Sequence, residues 1–164
     1  MVSGAFRLSL LASIAWTTLA GQTVKEFRYN GSGYATFGVG RCQHGYANYS
    51  FGGGADGFLW RGLTLGGDIG VYQFADDSGR PFGIGTLNVG YHFVDRRAPG
   101  KWEPFVAVGL LGVGFTGHGA GAAGFIGGGV NYWFKRRIGL RTEFRATGVA
   151  EEAIAMFRVG FSFR

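Results

Sequence analysis

From residue 33 onward the chain repeats one pattern, in which larger apolar residues alternate with small or polar ones over segments of roughly ten residues. A period of two is the pleat of a β-strand, where side chains at i, i+2 and i+4 share a face; an amphipathic helix would repeat every 3.6 residues. Eight such segments are read, at roughly 33–41, 49–60, 63–74, 82–93, 103–116, 122–134, 138–147 and 153–163. Each is near the roughly 9–11 residues that a tilted strand needs to cross a bilayer.

The alternation is clearest in the third, fourth, seventh and eighth segments, and the first agrees. Ala35, Phe37 and Val39 oppose Tyr34, Thr36, Gly38 and Gly40 in the first. Leu63, Leu65, Ile69 and Val71 oppose Thr64, Gly66, Asp68, Gly70 and Tyr72 in the third, and Leu87, Val89, Tyr91 and Phe93 oppose Thr86, Asn88, Gly90 and His92 in the fourth. In the seventh, Ile138, Leu140, Thr142, Phe144 and Ala146 oppose Arg141, Glu143 and Arg145; in the eighth, Ala155, Phe157, Val159, Phe161 and Phe163 oppose Met156, Arg158, Gly160 and Ser162.

A soluble sandwich also has one apolar and one polar face. The content of the polar face separates the cases. Here it holds mostly Gly, Ser and Thr with a few charges, which suits the cramped inside of a narrow barrel rather than a surface crowded with long polar side chains. The other face is broad, apolar and aromatic towards the strand ends, as a lipid-facing surface is. In hydrocarbon the sheet must also close, because an open edge leaves backbone groups without partners. The 33 glycines fit this reading. Each interior Gly costs a helix about 1 kcal/mol relative to Ala, whereas strands use Gly where they bend or where side chains must be small.

The connections alternate in kind. Trp60-Arg61-Gly62 and Lys135-Arg136-Arg137 are tight, whereas 42–48, 75–81, 117–121 and 148–152 are longer and form the expected outer loops; 95–101 is an unusually long inner turn. Residues 1–20 read as a secretory signal, with Arg7 ahead of the apolar run Leu8–Leu19 and small residues Thr18 and Ala20 placed for cleavage before Gly21. Residues 21–32 read as a short leader and 33–164 as the barrel.

Few residues carry the marks of chemistry. Cys42 is a single cysteine and cannot form an internal disulfide. Cys42 and His44 share a strand face, but two ligands do not make a metal site. Two Gly-x-Gly-x-x-Gly matches, Gly112-Gly114-Gly117 and Gly119-Gly121-Gly124, lack the following helix that a dinucleotide site needs. No cofactor, metal or catalytic residue is expected, and an enzyme is not. The net charge of +6 comes from scattered turn residues without any nucleic-acid recognition motif, so nucleic acid is not an expected partner. The notable group is Asp56, Asp68, Arg141, Glu143, Arg145 and Arg158, all assigned to the inner face. Charges held away from water must pair, and an eight-stranded interior is about filled by side chains, so these six are expected to plug the lumen with ion pairs.

The pattern, the run Gly66-Gly67-Asp68-Ile69-Gly70-Val71-Tyr72 and the ending Val159-Gly160-Phe161-Ser162-Phe163-Arg164 resemble small eight-stranded outer-membrane barrels of the OmpA-like, OmpX-like and opacity type. The resemblance covers nearly the whole chain after the signal. It implies an antiparallel up-and-down transmembrane β-barrel in the outer membrane of a Gram-negative bacterium. The surroundings it implies are outer-membrane lipid and the barrel assembly machinery, and the state is a monomer. In that family the last strand usually ends in Phe; here Arg164 follows Phe163 and by register points inward. The role expected is structural, in envelope integrity, with a small porin and a secreted lipocalin-like ligand carrier as alternatives. A lipocalin-like register would bury Ile138 and Phe144 and expose Arg141, Glu143 and Arg145. A helical membrane protein is a further alternative, because Phe105–Phe134 is long enough to span and carries no Asp, Glu, Lys or Arg, although it is dense with glycine.

Overall fold

A computed structural model describes residues 30–43, 45–75, 81–94, 100–114, 120–149 and 152–164. The strands are β1 (Gly31–Cys42), β2 (Ala47–Trp60), β3 (Leu63–Phe74), β4 (Phe82–His92), β5 (Trp102–Gly114), β6 (Ala120–Trp133), β7 (Ile138–Val149) and β8 (Glu152–Phe163). Each pairs antiparallel with the next, and β1 pairs with β8, so the sheet closes into an eight-stranded barrel without a free edge. Within the glycine-dense stretch from Phe105 to Phe134, the described residues form strands of β5 and β6 rather than a helix.

The register fixes the barrel's proportions. Starting at Gly31, paired residues run Gly57, Leu65, Val89, Val108, Ile126, Ala146 and Ala155, and return to β1 at Arg41. The stagger from residue 31 to residue 41 is a shear of ten. With eight strands about 4.8 Å apart, that shear gives a tilt of about 40° and a backbone radius of about 8 Å. A 12-residue strand such as β3 then spans roughly 30 Å along the barrel axis, enough for a hydrocarbon band about 25 Å tall.

The alternation read from the sequence is the in–out alternation of the barrel. Leu65, Ile69, Leu87, Val89, Leu140, Phe157 and Phe161 are exposed on the outer wall, with Ile69 at 74% and Leu87 at 72%. Between the rims no charged side chain faces outward among the described residues. At the end holding Asn30 and Arg164, Trp60, Tyr91, Phe93, Trp102, Phe134 and Phe163 form an exposed aromatic collar.

Most boundaries shift by one or two residues from the sequence reading. β1 begins at Gly31, inside the segment read as leader, because Gly31 and Ser32 pair with Gly57 and Asp56. The segment 148–152, read as an outer loop, shrinks to residues 150–151, since Gly148 and Val149 pair with Ala153 and Glu152. The longest connection is 93–101, at the same end as the tight turns, where the sequence reading placed its long inner turn of 95–101. In the β2–β3 turn Arg61 adopts a left-handed backbone, with φ of 49°; this sharp reversal is completed by Gly62.

Candidate functional site

The chemistry-bearing side chains lie inside the barrel, in tiers along its axis. The middle tier begins with β7. Arg141, Glu143 and Arg145 occupy alternate positions of one strand and so project side by side into the lumen. Arg158 of β8 sits directly across from Glu143 in the register. Asp56 of β2 and Asp68 of β3 reach in from the far wall. All six are buried, Arg145 to 2% and Glu143 to 1% exposure.

The six form one network. Glu143 accepts from Arg141 Nε at 3.3 Å, from Arg145 Nε at 2.8 Å and from Arg158 Nη1 at 3.5 Å. Asp68 accepts from Arg145 Nη2 at 2.8 Å and Arg158 Nη1 at 3.5 Å, and Asp56 accepts from Arg141 Nη1 at 3.2 Å. Arg158 also donates to Thr36 Oγ1 at 2.7 Å, and the Tyr34 hydroxyl donates to Asp68 Oδ2 at 3.4 Å. Aromatic faces hold the guanidinium planes: Arg141 lies 4.0 Å from the ring centroids of both Tyr34 and Phe105, and Arg145 lies 4.2 Å from that of Phe125. Stacked guanidiniums of this kind keep their hydrogen-bonding edges free for carboxylates.

Long side chains fit in so narrow a lumen because glycine stands opposite them. A Cβ on Gly54 would come within 2.6 Å of Asp68 Cβ and 2.7 Å of the Tyr34 hydroxyl, and one on Gly38 within 2.9 Å of Arg158 Cγ. A Cβ on Gly66 would collide with the Asp56 carboxylate. The inward glycines are thus the space that the charged side chains occupy.

A second polar group, centred on Glu103, lies towards the collar end and was not anticipated from the sequence. Its carboxylate accepts from Trp133 Nε1 at 2.8 Å, from Asn131 Nδ2 at 3.3 Å and from the His92 ring at 2.6 Å. Ser162 donates to Asn131 Oδ1 at 2.9 Å. Arg164 points inward, its guanidinium 4.2 Å from the Trp133 ring centroid and 3.8 Å from Glu103 Oε2. On its other side the His92 ring approaches Asp56 to 3.8 Å, so the two polar groups are nearly continuous. The available signal was strand parity: His92 follows the inner face of β4, and Glu103 shares parity with Phe105 and Leu111 of β5. Both faces of β5 are apolar, so its alternation could not be read.

Beyond the middle tier, towards the opposite end, Tyr72, Phe82, Ile84, Leu111, Ala123, Phe125 and Met156 form a buried apolar cluster. This apolar cluster was also not anticipated. Among the described residues no group of three or more His, Cys, Asp and Glu side chains is arranged to hold a metal ion. Cys42 is buried, and His44 lies outside the described residues.

No protein-family profile and no curated protein sequence matches the chain. Solved structures do match. The N-terminal β-barrel domain of Pseudomonas aeruginosa OprF is 24% identical with a TM-score of 0.56, covering 82% of this chain and 98% of that one. Neisserial surface protein A is 14% identical with a TM-score of 0.61, covering 84% and 99%. The attachment invasion locus protein Ail of Yersinia pestis is 7% identical with a TM-score of 0.58, covering 84% and 99%. The fold is therefore that of small eight-stranded outer-membrane barrels, and the likeness extends to the fold alone.

Proposed function

We propose that this chain spans the outer membrane of a Gram-negative bacterium as a closed, monomeric barrel with a structural role in the envelope. The observation that carries the reading is the inversion of polarity across the wall: among the described residues, a predominantly apolar outer surface without charge between the rims surrounds an interior holding Asp56, Asp68, Arg141, Glu143, Arg145 and Arg158. Such a molecule would be insoluble in water but matches a bilayer. A soluble ligand carrier requires the reverse, and the expectation for it of an exposed Arg141, Glu143 and Arg145 is contradicted, since all three are buried. Insertion from the periplasm would leave the first and last strands of an even-stranded barrel starting and finishing on that side, so the collar end, which holds Asn30 and Arg164, is read as periplasmic.

The ion pairs and the apolar cluster act as a plug. A pore would need a continuous wet path, whereas here paired guanidiniums and carboxylates fill the middle and apolar side chains fill the next stretch. The carboxylates are engaged by guanidinium, indole, amide or imidazole groups, which supports a structural rather than a catalytic role. The belt would be surrounded by outer-membrane lipid, and the outward aromatics Phe157, Phe161 and Phe163 on β8 suit handling by the barrel assembly machinery. Cell fractionation tests the location. The protein should require detergent for extraction from the outer-membrane fraction, and recovery in the soluble periplasm would overturn the reading.

A further inference from the structure

Among the described residues, charge on the outside of the barrel is confined to the rims. At the collar end Arg61 lies in the β2–β3 turn, Lys101 lies just before β5, and Lys135, Arg136 and Arg137 form the β6–β7 turn. All five are exposed, and among the described residues every exposed charged side chain at this end is basic. Among the described residues the acidic side chain at this end is Glu103, and it is fully buried one layer inside. Three different turns supply the charge, so it forms an arc around the circumference rather than a single run.

The arc has a fixed relation to the aromatic collar. The Arg61 guanidinium lies 4.7 Å from the Trp60 ring centroid, and the Trp102 and Tyr132 rings are 4.6 Å apart beside Lys101. Lys101, Lys135, Arg136 and Arg164 share a shallow hollow with Trp133 and Phe134. Moving outward along the axis, the order is apolar wall, aromatic ring, then cations. Tryptophan and tyrosine settle at headgroup depth, so the next layer meets the phosphates.

We infer that this rim is a docking surface for the phosphate groups of anionic phospholipid, of the phosphatidylglycerol type, in the leaflet at the collar end. The inference rests on the membrane reading above. Phosphatidylcholine presents the same phosphate beside its own ammonium group, whereas a net-negative headgroup leaves that phosphate to the protein's cations. Attraction of this kind is worth about a fivefold preference for each basic side chain that engages, and it is screened by salt.

The test uses the full chain refolded into phosphatidylcholine vesicles. Tryptophan fluorescence is then read as brominated phosphatidylglycerol or brominated phosphatidylcholine is mixed in. Trp60 and Trp102 are exposed at this rim while Trp133 is buried behind it, so in a Trp16→Phe background the lipid-dependent quenching reports the lipid next to the rim. Brominated phosphatidylglycerol should quench at several-fold lower mole fraction. The preference should shrink in Lys135→Gln, vanish in the combined variant Arg61→Gln, Lys101→Gln, Lys135→Gln, Arg136→Gln, Arg137→Gln, and vanish in about 0.5 M salt. Equal quenching by the two lipids would overturn the inference, as would a preference that survives the combined variant. Loss of the preference in millimolar inorganic phosphate, but not in sodium chloride of equal ionic strength, would assign the rim to free phosphate instead. Failure to insert into phosphatidylcholine at all, read by circular dichroism and gel mobility, would sink the membrane reading and is distinguishable from every outcome above.

Discussion

Replacing Glu143 with alanine removes the carboxylate on which Arg141, Arg145 and Arg158 converge, at distances of 2.8 to 3.5 Å. Two carboxylates, Asp56 and Asp68, would then face three guanidiniums. At an effective dielectric of about 20, opposite charges 4 Å apart attract by about 4 kcal/mol. Three such contacts cannot simply be summed, because Glu143 itself is desolvated on folding and because Arg141 keeps Asp56 while Arg145 and Arg158 keep Asp68. Breaking a buried pair by removing one partner costs about 3–5 kcal/mol when the site is dry, and that is the loss expected for Glu143→Ala. Urea unfolding in lipid vesicles, followed by tryptophan fluorescence, measures it. Adding Arg145→Ala restores the charge balance, so the double variant should lose less than the sum of the single losses. A loss below about 1 kcal/mol, or strict additivity, would refute the reasoning and indicate a hydrated lumen where charges are screened.

Three further outcomes follow from the same geometry. Leu87→Arg, near the middle of the outer wall, should cost about 2–4 kcal/mol, whereas Leu140→Arg, close to the collar beside Tyr132 and Phe161, should cost about 0–1 kcal/mol; equal losses in vesicle unfolding would contradict the depth assignment. Glu103→Ala should lower stability by about 2–4 kcal/mol, since Trp133, Asn131 and His92 lose their shared acceptor, and an unchanged unfolding midpoint would count against the second polar group. Gly54→Val should sharply reduce refolding yield, because its side chain would enter the space of Asp68 and Tyr34; a normal yield by gel mobility would show that the interior is looser than described.

Much of the architecture was legible in the residues because a barrel writes its pleat directly into the chain. In β7, Leu140 and Phe144 alternate with Arg141, Glu143 and Arg145, and that one segment separates inside from outside. The pairing partners were not legible. Which guanidinium meets Asp56 or Asp68 depends on the relative heights of strands far apart in the chain, and the shear of ten sets those heights only once all eight strands are joined. β5 and β6 hid their faces for a different reason. Phe105, Leu111, Ala123 and Phe125 point inward while Val106, Val108, Leu110 and Ile126 point outward, so apolar residues stand on both sides and the contrast disappears. Glu103 was lost with them. The β7–β8 connection was misread because Gly148 resembles a loop residue, yet it continues the ladder opposite Ala153.

The central claim is that the barrel crosses a membrane without opening a path through it. Current across planar bilayers tests this most directly, using protein whose insertion has been established beforehand by protease protection. The unmodified chain should give no large, steady conductance if the ion-paired tier and the apolar cluster together plug the lumen as proposed. A large, persistent open conductance from the inserted protein would contradict it and would make the barrel a pore.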